Sequence, residues 1–226
     1  MAWDWFRPKK PGRIFLIGHN KCGTRSFHKL LKSNGYSSIH YDKGRLARRI
    51  QANFTFSRPL LDGVDGYCGY TDMELCGEFY AYRLFPLLDL QYPDSCFVYN
   101  TRDVSRWVES RMNHRKGKYA RTYLERLQSA FDDSSLTLED LRTHWKQAWE
   151  RHDRDLKRYF AGRSNFFAFD TTDPDAPAPL VDDARVALAG ALFAAPQVLL
   201  LPDAQRPEIY WLCAKRFTIT TTDTMC

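Results

Sequence analysis

The chain has six cysteines but no C-x-x-C pair and no histidine spacing to accompany them. Cys22, Cys68, Cys76, Cys96, Cys213 and Cys226 are scattered, which disfavours zinc and dithiol redox patterns and leaves reduced thiols in apolar surroundings as the expectation. No uninterrupted apolar run approaches the ~20 residues that a membrane helix needs. The start, Met1-Ala2-Trp3-Asp4-Trp5, carries neither the basic cluster nor the apolar stretch of a secretory signal, so a cytoplasmic protein without a membrane span is expected. Internal repeats are absent. The one biased stretch is a threonine-rich tail, and disorder is expected over 218–226.

What is present suits a globular enzyme or binding domain. With 226 residues, 44% of them hydrophobic, the chain is long enough to bury a core without staples, and residues 1–226 are read as a single domain. The net charge of +6 and pI of 9.0 favour anionic ligands without separating nucleotide, acidic sugar, nucleic acid or membrane surface.

Hydrophobic patterning predicts alternating strands and helices. Ile14-Phe15-Leu16-Ile17 reads as a buried parallel strand, followed by a turn and then by Phe27, Leu30 and Leu31 at helical spacing, closed by Gly35. Further strands are expected at 38–41, 67–70, 96–100 and 166–169. Helices are expected at 46–54, at 78–90 with an interruption near Pro86, at 104–112, at 119–131 and at 137–160. Thr137 and Asp140 form a capping pair for the last of these, and the proline-rich 173–179 reads as a loop. The expected class is α/β, a single domain with a mostly parallel sheet flanked by helices.

The first turn carries chemistry. Gly18-His19-Asn20-Lys21-Cys22-Gly23-Thr24-Arg25-Ser26 lies between a buried strand and a helix start, where free N–H groups and the helix dipole favour an anion. A Walker A loop would place its lysine directly after the second glycine, whereas Lys21 precedes Gly23. A nucleotide kinase or triphosphatase is therefore the weaker alternative.

Lys21-Cys22-Gly23-Thr24 resembles the Lys-x-Gly-Thr core of the sulfotransferases that use 3′-phosphoadenosine-5′-phosphosulfate (PAPS), and with Arg25 it is similar to the branch that includes heparan sulfate sulfotransferases. The resemblance implies a P-loop-like sulfotransferase fold of bacterial type, with Lys21, Cys22, Gly23, Thr24, Arg25 and Ser26 around the 5′-phosphosulfate. It also implies that Arg102, after the strand ending at Asn100, and Ser110, on the next helix, hold the 3′-phosphate. A guanidinium and a hydroxyl are suited to phosphate oxygens. PAPS is the implied co-substrate and no metal is demanded. The resemblance spans about 13–170. After Asp170 no arginine-lysine-glycine element is found, so the C-terminal part departs from the pattern.

Sulfuryl transfer needs a cation on the leaving oxygen and a base on the acceptor hydroxyl. Lys21 is the expected cation. Asp72, at the end of the third strand, is the expected base, with a helix N-cap as its ordinary alternative. His40 is the second candidate base or substrate-orienting residue, and His19 and Glu74 rank below it. The acceptor, a carbohydrate or small molecule, is not identified by the sequence. A basic segment with Arg102, Arg106, Arg111, Arg115, Lys116, Lys118 and Arg121 leaves a non-catalytic anion-binding protein as another alternative, although nucleic acid is not the expected partner. The same segment, with Trp107, Tyr119 and Tyr123, could instead wall an acceptor cleft.

Overall fold

Apolar residues without polar alternation have to be covered on both faces, and Ile14–Leu16 (β1) is a central strand of this kind. In the computed structural model, which describes residues 12–171, β1 pairs in parallel with Gly69–Thr71 (β3) on one side and Cys96–Thr101 (β6) on the other. Ser38–His40 (β2) extends the sheet beyond β3, and Phe166–Asp170 (β7) extends it beyond β6, giving the order β2-β3-β1-β6-β7 with every pairing parallel. The class is α/β, as the alternating pattern predicts.

The period of two in a strand sorts the core. Ile14, Leu16 and Val98 pack with Phe27 and Leu31 of Thr24–Ser33 (α1) on one face. Phe15, Phe97 and Tyr99 pack on the other face with Ile50 of Arg45–Thr55 (α2), Leu88 of Phe85–Gln91 (α3) and Leu156 of Leu138–Tyr159 (α6). A further cluster joins Val104–Met112 (α4), Lys118–Phe131 (α5) and α6 through Trp107, Leu127, Leu141, Trp145 and Trp149. The capping box at Thr137 and Asp140 starts α6 where the sequence indicates.

One expected helix divides. Over 78–90 the chain first completes a short antiparallel hairpin, Glu74–Leu75 (β4) with Phe79–Tyr80 (β5), turned at Gly77 with a φ of 68°. It then makes a 3-10 turn at Ala81–Leu84 before α3. Pro86 sits in the first turn of α3, where its missing N–H costs nothing, so it opens the helix and does not interrupt it. The third strand is displaced to Gly69–Thr71. No helix among the described residues is long and apolar enough to cross a membrane. The expected loop at 173–179 and tail at 218–226 lie outside the described residues.

The topology puts a switch point at the carboxyl ends of β1 and β6. From β1 the chain crosses to β2 at one edge and returns to β3; it then passes to the other side of β1 to enter β6. The connection after β1 leads to one edge and the connection after its neighbour β6 leads to the other, the divergence at which doubly wound sheets bind ligands.

Candidate functional site

The loop after β1 is tied to β6 by one buried side chain. Asn100 accepts from the Gly18 N–H through Oδ1 at 3.1 Å and donates from Nδ2 to the Cys22 carbonyl at 2.6 Å. At Gly18 a Cβ would lie 2.1 Å from the Asn100 carbonyl oxygen, so glycine alone permits this approach. Sequence patterning does not single out Asn100, whose only signal is a polar residue ending an apolar strand.

The loop then turns through two left-handed residues, Lys21 (φ 65°) and Gly23 (φ 76°), the second being the N-cap of α1. No side chain caps this helix, its first turn carries no acidic residue, and the Gly23 carbonyl first accepts from Phe27 N–H at 3.0 Å. The amides of Thr24, Arg25 and Ser26 therefore precede any helical acceptor and are suited to an anion. Gly23, Arg25 and Ser26 are exposed, while Thr24 is buried. Cys22 is wholly buried, and burial pushes its thiol up. Any part that Cys22 takes in the anion loop would fall to its backbone, because its side chain is turned into the core.

Two residues from beyond β6 hold Lys21. Arg102 donates from Nη1 to the Lys21 carbonyl at 2.9 Å, and its buried Nε has no partner among the described residues. The Lys21 ammonium lies 3.2 Å from Nδ1 of His114. Burial and then Arg25 lower the Lys21 pKa, while burial and then Lys21 lower that of His114, so a neutral imidazole accepts from the lysine. Trp107 donates from Nε1 to the Asn20 carbonyl at 2.9 Å. Ser110 is half-buried in α4, three residues after Trp107.

The candidate bases stand at the neighbouring strand ends. Asp72 follows β3 in a left-handed conformation (φ 54°) and leads into β4, so it is not a helix N-cap. Burial, followed by Glu74, raises its pKa to about 7, against the opposing pull of Arg111, Lys21 and Arg25. His40, at the end of β2, places Nε2 3.7 Å from Asp72 Oδ2. Its pKa is lowered to about 4, first by burial and then by His28 and Arg25. With one pKa raised and the other lowered, the contact is not an ion pair near neutrality. The proton that the two can share belongs to Asp72. Lys21, Asp72 and His40 thus gather at the carboxyl ends of β1, β3 and β2.

Other expected roles change with burial. Arg111 is not part of a solvated basic face. It is enclosed by the rings of Trp107, Tyr119, Tyr123 and Trp145 and donates to Glu74 at 2.6 Å. Tyr119 accepts from Arg111 at 2.6 Å, donates to Glu74 at 2.7 Å and accepts from Asn20 Nδ2 at 3.2 Å. Trp107 and Tyr123 lie in the helical core and do not wall an open cleft. His19 is buried against Tyr82, Trp149 and His152 and has a structural place. Sequence spacing could not reveal the Glu74–Arg111 pair, because Glu74 becomes its partner only when β4 folds beneath α4.

The arrangement offers exposed helix-start amides, a lysine and two arginines for an anion, beside a carboxyl able to exchange a proton near neutrality. No curated protein matches the chain at a significant level. The model of one family, described as a sulfotransferase domain, matches residues 13–173, which span β1 through β7 and contain the whole site. With most of its length so matched, the chain belongs to the sulfotransferase domain family.

Proposed function

We propose that this sulfotransferase takes its sulfuryl group from PAPS and passes it to a hydroxyl or amine of a carbohydrate or small-molecule acceptor. The observation that carries the reading is the 2.9 Å contact between Arg102 and the Lys21 carbonyl, which joins two candidate anion sites at adjacent strand ends. The donor set suits a nucleotide with separated phosphates. The amides from Gly23 to Ser26 would hold the 5′-phosphosulfate, and the free Nε of Arg102 with Ser110 would hold the 3′-phosphate. A triphosphate has no need of the second site.

In the reaction the acceptor oxygen forms its bond to sulfur while the bond from sulfur to the bridging oxygen breaks, and that oxygen leaves with the electron pair. The Lys21 ammonium neutralises the departing charge. The acceptor proton goes to Asp72, whose pKa near 7 allows it to be ionised yet basic at neutral pH. Most of the acceleration comes from position and from charges fixed before reaction. The burial of Arg111 removes a central member of the basic face on which a non-catalytic anion-binding reading relied.

Calorimetric titration with 3′-phosphoadenosine-5′-phosphate and with ATP tests the donor. The expected result is binding of the bisphosphate with ATP at least about tenfold weaker, a difference of about 1.4 kcal/mol. Equal binding, or binding of ATP alone, would overturn it.

A further inference from the structure

Asp72 and His40 are set in an ordered array that reaches beyond either residue. Thr71 is completely buried, and its hydroxyl donates to the Ile39 carbonyl at 3.1 Å, an oxygen that can only accept. The same hydroxyl oxygen lies 3.0 Å from Nδ1 of His40. Because the single hydroxyl proton is committed to Ile39, the hydrogen between Thr71 and His40 is supplied by the imidazole. Nδ1 then carries the proton, and Nε2, which faces Asp72 Oδ2 at 3.7 Å, presents a lone pair. The ring plane is held from behind by His28, stacked at 5.4 Å and itself anchored to the Ser38 hydroxyl at 2.9 Å.

We infer that His40 is a positioning residue for the Asp72 base: fixed by Thr71 as the Nδ1–H tautomer, it offers Asp72 a lone pair in place of a hydrogen-bond donor. This deepens the proposed mechanism and rests on its assignment of Asp72. A donor at Nε2 would stabilise the carboxylate and weaken it as a base. A lone pair disfavours the carboxylate and favours the acid, since a protonated Asp72 can turn its O–H toward Nε2. When the acceptor oxygen bonds to sulfur and its proton moves to Asp72, His40 stabilises the proton's new location and takes no net charge. The charged and titratable groups around the pair are Lys21 from the loop after β1, Arg25 and His28 from α1, Glu74 from β4 and Arg111 from α4.

The test combines Thr71→Val, which is close to Thr in shape but has no oxygen, with His40→Ala and Asp72→Asn. In the wild type, nitrogen NMR of His40 is expected to show a protonated Nδ1 and an unprotonated Nε2. Thr71→Val frees the ring to reverse its tautomer and donate to Asp72. The acidic limb of kcat against pH should then move about one unit or more toward acid, with a lower plateau. His40→Ala should move the limb in the same direction. An unmoved limb in both variants, a limb moved toward alkali, or a wild-type His40 already protonated on Nε2 would overturn the inference. If instead Asp72→Asn keeps full turnover, the assignment of the base fails, an outcome distinct from the others. Thermal melts of each variant separate a folding defect from these shifts, and the wild-type NMR result decides the tautomer even if a variant fails to fold.

Discussion

Lys21 is held at both ends by the segment that follows β6, its carbonyl by Arg102 at 2.9 Å and its ammonium by His114 at 3.2 Å. A lysine with several rotatable bonds is thereby held in one orientation, which in the proposed reaction would lessen the ordering cost. The contact with His114 uses one of three N–H donors and leaves the others for an anion.

Replacing Lys21 by alanine should lower kcat by about 10²–10³ while leaving the circular dichroism spectrum unchanged, the scale seen when a charge-stabilising donor is removed. His114→Ala should cost less, about tenfold in kcat, with little change in donor KM, because it loosens the lysine without removing it. Steady-state kinetics on the two variants check the order. Equal losses would mean that His114 does more than orient.

Asn100→Ala should destabilise the fold by about 2–3 kcal/mol in urea unfolding, since it deprives the buried Gly18 N–H and Cys22 carbonyl of their shared partner. Nucleotide binding should weaken with it, because the anion loop is anchored through this side chain. Unchanged stability would show that the loop holds its form without the β6 anchor.

Asp72 makes stability depend on pH in a defined direction. Its folded pKa, about 7, lies above the ordinary value of 3.8, so the folded state binds the extra proton between these limits. Stability is thus fully present below the ordinary value and is lost as pH rises through the folded one. Asp72→Asn should be neutral for stability near pH 4 and stabilising by ~2 kcal/mol at pH 8, less than the full shift because the carboxyl keeps 18% of its surface in water. Melting temperatures across pH check this, and a variant less stable at pH 8 would contradict it.

Glu74→Ala should be among the most damaging single changes, at about 3–5 kcal/mol, because it leaves the Arg111 guanidinium charged and buried. Pairing Glu74→Gln with Arg111→Met should recover part of the loss. A chemical denaturation cycle over these variants measures the coupling.

Much of the candidate anion loop's backbone form was legible before folding, because it is local. A strand, a glycine turn and a helix start are contiguous in 14–33, and their anion preference follows from backbone groups that no distant contact is required to create. The cap of α6 was legible for the same reason, since Thr137 and Asp140 reach only along one turn. The hairpin at β4 and β5 was not. Phe79, Tyr80 and Tyr82 suit either a helix or a strand, and Gly77 settles the matter by adopting a left-handed turn.

The amino-acid sequence on its own determined the alternating α/β order and the place of the lysine turn, since both follow from periodicity and backbone chemistry over short spans. Tertiary structure alone decided that Arg111 is sealed among aromatic rings, that Asn100 anchors the turn, and that His114 and His40 stand beside Lys21 and Asp72. These relationships join residues far apart in the chain, and their energies come from burial and from fixed distances, which exist only once the strands have been set side by side.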